Sequence, residues 1–125
     1  MSVRSYRDLK VWQAAMDLVE HVYELTGCFP KHELYGLTSQ IQRSTISIPS
    51  NIAEGHSRAS SKEFLHYISI ALGSVAELET QLMMAGRLKY VGQNDTQCAI
   101  AWLEDIGKML RGLQKSLKSK LHSSP

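Results

Sequence analysis

Apolar residues recur along this chain at three- and four-residue steps, the period of an α-helix. No stretch alternates apolar and polar residues in the way a strand does. The punctuation is sparse, with three prolines and eight glycines in 125 residues, and it leaves four long segments. The first is expected over 6–26, stopped by Gly27 and the Phe29-Pro30 pair, and the second over 32–54, ending at Gly55 as a left-handed cap. The third covers 60–86, opened by Ser60 as cap with Glu63 reaching back to it, and the fourth covers 94–120 behind an Asn94 cap, with a disordered tail over 121–125. Four helices of similar length with short connections predict an all-α, up-and-down four-helix bundle spanning 1–125 as a single domain. In that topology Cys28 and Cys98 fall at the same end, as free thiols.

The faces of these helices carry more information than their number. The fourth shows one apolar stripe of Ala99, Trp102, Leu103, Ile106, Leu110, Leu113 and Leu117. The third does the same with Phe64, Ile68, Leu72, Val75, Leu78 and Leu82. The first is broader. Leu9, Trp12, Met16, Val19 and Tyr23 make an ordinary core stripe, and Val11, Ala15, Leu18, Val22 and Leu25 widen the apolar arc to roughly 200°, twice what burial in one bundle requires. Ile46 and Ala53 do so more mildly for the second helix, whose main stripe is Leu37, Ile41, Ile48 and Ile52. Surplus apolar surface on a small domain is ordinarily covered by a partner. The expectation is a homo-oligomer, with Val11, Leu18, Val22 and Leu25 at its interface.

Composition changes this picture little. Hydrophobic residues are 43% and charged residues 21%, which excludes wholesale disorder, and no apolar run spans a bilayer or resembles a secretory leader. Two cysteines make no disulfide scaffold, so the chain reads as cytoplasmic. A net charge of +2 is too small to specify a nucleic-acid partner. Its distribution says more: Lys108, Arg111, Lys115 and Lys118 lie at helical steps opposite the fourth helix's core, and no acidic residue follows Asp105. Such a stripe is either a solvated helix end or a surface for phosphates. No aromatic residue interleaves with it, so base stacking is not suggested.

The second helix is the least bundle-like. Pro49 sits in its interior, where a proline removes a hydrogen bond and kinks the axis. Gln40, Ser44, Ser47, Asn51 and Glu54 form a polar stripe beside the isoleucines, and Ser74, Glu77 and Gln81 on the third helix are its natural partners. Ser47, Asn51, Glu54, Ser74 and Glu77 are therefore expected to form a buried structural network. Catalysis is the weaker reading of Glu54 and Glu77, because no nucleophile motif or phosphate loop accompanies them. Glu63-x-x-His66 has ferritin-like spacing, yet no second copy exists, and Glu63 is already needed at the helix start. No metal, cofactor or enzymatic activity is expected.

At this point the chain resembles a known family, the four-helix-bundle proteins of ribosomal-RNA intervening sequences. The matching residues run from Tyr6-Arg7-Asp8-Leu9-Lys10-Val11-Trp12-Gln13 through Phe29-Pro30-Lys31, Glu33, Tyr35-Gly36-Leu37 and Gln40. They continue in Ser47-Ile48-Pro49-Ser50-Asn51-Ile52-Ala53-Glu54-Gly55, Arg58, and the stretch from Ile70 to Leu82. Ser44-Thr45 departs from the pattern, where small apolar residues are the family's habit. The resemblance implies a homopentamer of bundles with no established enzymatic activity. A related branch, the accessory proteins of diversity-generating retroelements, assembles similarly and binds nucleic acid and a reverse transcriptase. Two functions follow as expectations: an oligomer that holds RNA or DNA backbone on its basic face, or an adaptor for another protein.

Overall fold

The computed structural model describes residues 5–122. Four helices account for most of them: α1 (Lys10–Thr26), α2 (Leu37–His56), α3 (Ser61–Arg87) and α4 (Gln93–His122). Each packs against its neighbours in a ring, α1 on α2, α2 on α3, α3 on α4 and α4 on α1, the up-and-down order that short connections allow. None of these helices is long and apolar enough to cross a membrane. Residues 123–125 of the expected tail lie outside the described residues, whereas Leu121 and His122 still belong to α4.

Local chemistry sets the helix boundaries. Before α1, Ser5 accepts the Arg7 N–H at 3.2 Å and starts a 3-10 turn over Tyr6–Asp8. Leu9 then goes extended at φ −73°, ψ 124°, so α1 proper begins only at Lys10. The second helix likewise starts later than 32. Glu33 takes the place of a cap: its Oε1 accepts the Leu37 N–H at 3.0 Å, and its Oε2 accepts the Tyr90 hydroxyl at 2.9 Å. One carboxylate thereby ties the α1–α2 connection to the α3–α4 connection. Phe29 packs on Tyr90 with ring centroids 5.6 Å apart at the same end, which we call the upper end. Cys28 and Cys98 share it, both free and exposed.

Gly55 is not a left-handed cap. It is buried inside α2, which runs on to His56, and its missing side chain is what lets α3 approach. Among the described residues the left-handed one is Lys89 (φ 64°), where α3 closes with Tyr90 N–H donating to the Ala85 carbonyl at 3.0 Å. Ser60 does cap α3, accepting the Glu63 N–H at 3.1 Å while its own hydroxyl reaches the Glu63 carboxylate at 3.3 Å. Asn94 is no cap, because α4 already begins at Gln93. Pro49 lies buried within a helix that continues past it.

The core is built as the α3 and α4 stripes predict, from Ile68, Val75, Leu78 and Leu82 against Ala99, Leu103, Ile106, Leu110 and Leu117. Ile41, Ile48 and Ile52 close it from α2. On α1 the two stripes exchange roles. Val11, Ala15, Leu18 and Val22 are the buried ones, the last three with no exposure at all, whereas Met16 is 42% and Tyr23 41% exposed. Leu25 is partly buried against the same core. Val11, Leu18 and Val22 are thus core residues of the single chain and present no surface to a partner. The surplus apolar face of α1 is the remainder of the other stripe, Met16, Val19 and Tyr23, since Leu9 and Trp12 pack partly buried against the core.

Candidate functional site

Three candidate features come from the sequence, and the structure treats each differently. The first is the polar network between α2 and α3. Its serines are drawn together because Ser47 and Ser74 face one another across the helix pair, with the two Oγ atoms 2.7 Å apart. The Ser74 hydroxyl also donates to the Ile70 carbonyl at 3.2 Å, which uses its only proton. Ser47 must therefore be the donor to Ser74, and its own oxygen accepts from Asn51 Nδ2 at 2.9 Å. The result is a directed chain, Asn51 to Ser47 to Ser74 to the Ile70 carbonyl, whose bonds polarise one another. Asn51 Nδ2 also donates to the Ser47 carbonyl at 2.8 Å.

Glu54 and Glu77 are not in this chain. Both are exposed, and Glu54 lies 3.6 Å from Arg58 one turn on. The physical reason is desolvation: a carboxylate between two helices needs a buried cation, and among the described residues none is present there. The departure at Ser44-Thr45 is accommodated without a partner helix. Thr45 is fully buried, and its hydroxyl donates back to the Ile41 carbonyl at 2.7 Å.

The second feature is the basic stripe on α4. Lys108, Arg111, Lys115 and Lys118 are all exposed. The stripe nevertheless divides in two. Lys108 and Arg111 line a shallow groove of about 200 Å³ between α3 and α4 together with Glu79 and Glu104. Burial and then the Glu104 charge push the Glu79 carboxyl above its ordinary value, while Arg111 pulls it back. The upper two cations therefore spend part of their field on carboxylates of their own chain. Lys115 and Lys118 lie beyond the last acid of α4.

Topology adds charges that a linear reading of α4 misses. The last turns of α4 meet the start of α1 and the α2–α3 connection around a cleft of about 450 Å³, lined by Leu9, Arg58, Ser60, Phe64, Leu117 and Lys120 among others. Arg7, Lys10, Arg58 and Lys62 consequently share this lower end with Lys115 and Lys118, against Asp8, Glu54 and Glu63. Arg58 is well positioned, with Nη2 donating to the Tyr67 hydroxyl at 2.8 Å and its guanidinium 5.1 Å from the centre of that ring. Only the chain order of an up-and-down bundle, applied to every helix end at once, makes this cluster legible.

The third feature is the apolar face outside the core. On α1, exposed Met16 and Tyr23 alternate with half-buried Trp12 and Val19. Gln42 Nε2 donates to Thr26 Oγ1 at 3.1 Å, which fixes the antiparallel register of α1 and α2. In that register Ile46, 44% exposed, stands about one turn below Gln42 and so beside Tyr23 and Val19. One apolar stripe thus runs along the α1–α2 flank.

Glu63 is held by Ser60, and His66 is exposed against Tyr67 with ring centroids 5.4 Å apart. Among the described residues no group of three His, Cys, Asp or Glu side chains is placed to hold an ion.

No curated protein sequence matches the chain. In structure it is similar to a protein of unknown function from the S23 ribosomal protein family of Bacteroides thetaiotaomicron, with a TM-score of 0.78 and 24% identity over 84% of this chain and 98% of that one. At that identity the likeness speaks to the fold, and it agrees with the bundle described above. The family model described as 23S rRNA-intervening sequence protein matches residues 7–112, nearly the whole bundle, and the chain belongs to that family.

Proposed function

We propose that the protein performs no turnover and works as a self-associating bundle that holds nucleic-acid backbone on its basic lower end. The carrying observation is the gathering there of Lys115 and Lys118 with Arg7, Lys10, Arg58 and Lys62, from three separate parts of the chain. One copy's charges are screened within about 8 Å at physiological salt. Repetition around an oligomer, five copies as the family resemblance implies, neutralises many phosphates together and makes the affinity steeply salt-dependent. Among the described residues nothing at this end is shaped to read base edges, so sequence preference is slight.

Self-association is supported by the α1–α2 stripe of Met16, Val19, Tyr23 and Ile46, apolar surface of the kind a partner ordinarily covers. That same stripe supports the second reading, an adaptor whose partner is another protein. A binding titration with RNA and with single- and double-stranded DNA at increasing salt separates the two. The nucleic-acid reading expects binding to all three with a steep salt slope, and absence of binding even at low salt leaves the adaptor.

A further inference from the structure

The cleft at the upper end, between the close of α1 and the start of α2, is used by nothing above. Its volume is about 430 Å³, and its walls include Tyr23, Phe29, Pro30 and Leu34, with Lys31 at the rim. Thr38 lines it as well, only 5% exposed, and its Oγ1 is buried without a hydrogen-bond partner. Buried hydroxyls are ordinarily paired. Thr26 and Gln42 also line the cleft but bond to one another, so Thr38 Oγ1 is the polar atom left over. What completes the cleft is a flat apolar group that carries a hydroxyl or carbonyl at its tip.

The chain itself presents such a group three residues earlier. Tyr35 is 93% exposed, whereas the other exposed large hydrophobic residues among those described lie between 39% and 54%. A ring that exposed is not filling its own chain's cleft. The backbone beside it is held, because Glu33 accepts the Leu37 N–H on Oε1 and the Tyr90 hydroxyl on Oε2. A ring carried on held backbone loses less freedom on docking than one on a loose loop.

We propose that Tyr35 of one copy seats in this cleft of a second copy, its ring against Phe29, Pro30 and Tyr23 and its hydroxyl bonded to Thr38 Oγ1, which is closed off in the single chain and turns about χ1 to meet it. Knob and hole lie at one end of the same chain. Tyr23, a wall of the cleft, is also the upper end of the α1–α2 stripe, so one neighbour covers both. The assignment rests on the self-association reading and gives it an anchor.

The test is sedimentation equilibrium over a concentration series, with circular dichroism confirming that each variant is folded. Tyr35→Ala removes the knob and should weaken self-association at least ~30-fold, as the loss of a buried aromatic anchor does. Tyr35→Phe and Thr38→Val each remove one end of the same hydrogen bond and should each cost ~5-fold. The double variant should be no weaker than either single one, because both then lose the same bond. Tyr35→Ala associating like wild type, or the two conservative changes multiplying to ~25-fold, would overturn the assignment alone. A wild-type chain that stays at 14.0 kDa throughout overturns the self-association reading beneath it.

Discussion

A Cβ placed on Gly55 would lie 2.7 Å from the Cβ of Tyr67 and 2.8 Å from Cδ1 of Phe64. Helices α2 and α3 therefore meet most closely at a point where one of them has no side chain. Gly55→Ala must push a packed aromatic pair aside, and overpacking of this kind costs about 1–3 kcal/mol. Gly73, on the exposed side of α3, has no atom within 4 Å of the same position. Gly73→Ala should stabilise the bundle by about 0.5–1 kcal/mol, since it only removes glycine's backbone freedom. Urea denaturation of the two variants is expected to show shifts of opposite sign.

The hydrogen-bond chain through Ser47 and Ser74 makes a second test. Ser74→Ala strands the Ser47 hydroxyl between two helices and should cost about 1–3 kcal/mol. Adding Ser47→Ala removes the stranded group, so the double variant should lose less than the sum of the two single ones. Glu77→Gln should sit within about 0.5 kcal/mol of wild type, as an exposed side chain outside the chain of bonds. Equal losses for Ser74→Ala and Glu77→Gln would restore the carboxylate to the network.

Periodicity made three of the four core stripes legible, because on α2, α3 and α4 one apolar face is distinctly richer than the other. On α1 it failed for a simple reason. Both Leu9-Trp12-Met16-Val19-Tyr23 and Val11-Ala15-Leu18-Val22 keep helical spacing, so spacing alone does not say which of them is inside. Burial goes to the set that α1 turns toward the core, with Ala15, Leu18 and Val22 fully enclosed. The serines of the network were visible as a stripe on each helix. The exclusion of Glu54 and Glu77 was not, since it depends on the cost of burying a charge and on the absence of a cation nearby. The clasp of Glu33 on Tyr90 joins residues 57 apart and leaves no periodic trace at all.

The two shifted carboxyls give stability a pH dependence of mixed sign. Hydrogen bonds from the Leu37 N–H and then the Tyr90 hydroxyl hold Glu33 below its ordinary value of 4.5. Its contribution is therefore present above that value and lost as pH falls through the lowered one. Glu79 is held above 4.5, so it favours the fold when protonated, and that contribution is lost as pH rises through the raised value. Glu33→Gln should lower Tm at about pH 7 and Glu79→Gln should raise it, with both differences fading by about pH 3. Thermal melts across that range, read by circular dichroism, check the two signs independently.

Charge scanning along α1 tests which stripe is inside. Leu18→Asp buries an unpaired carboxylate among fully enclosed side chains and should cost about 4 kcal/mol or more, enough to unfold a bundle of this size. Met16→Glu, on the exposed stripe, should leave the helix content unchanged. If that stripe is the self-association face, it should also lower the mass seen by light scattering at micromolar concentration. Loss of fold in the second variant rather than the first would return Val11, Leu18 and Val22 to the surface.

The division of the basic stripe predicts that its four cations are unequal in nucleic-acid binding. Lys108 and Arg111 already share a groove with Glu79 and Glu104, so phosphate gains less from them. Lys115 and Lys118 face no acid on their own helix after Asp105 and stand at the end where Arg58 and Lys10 add to the field. Lys115→Glu with Lys118→Glu should therefore weaken binding to every sequence alike and flatten the salt slope, by about 0.7–0.9 for each phosphate no longer neutralised. Lys108→Glu with Arg111→Glu should weaken it less at the same salt, although the formal charge change is identical. Met16→Glu, if it yields folded single copies, should reduce affinity without touching a cation, because the phosphates are then met by one subunit's charges in place of many. Fluorescence anisotropy with a short labelled RNA at several salt concentrations measures all three. Equal losses for the two charge reversals would mean that Glu79 and Glu104 do not attenuate the upper half. Unchanged binding by the Lys115 and Lys118 double variant would move the binding surface off this end of the bundle and favour the adaptor reading.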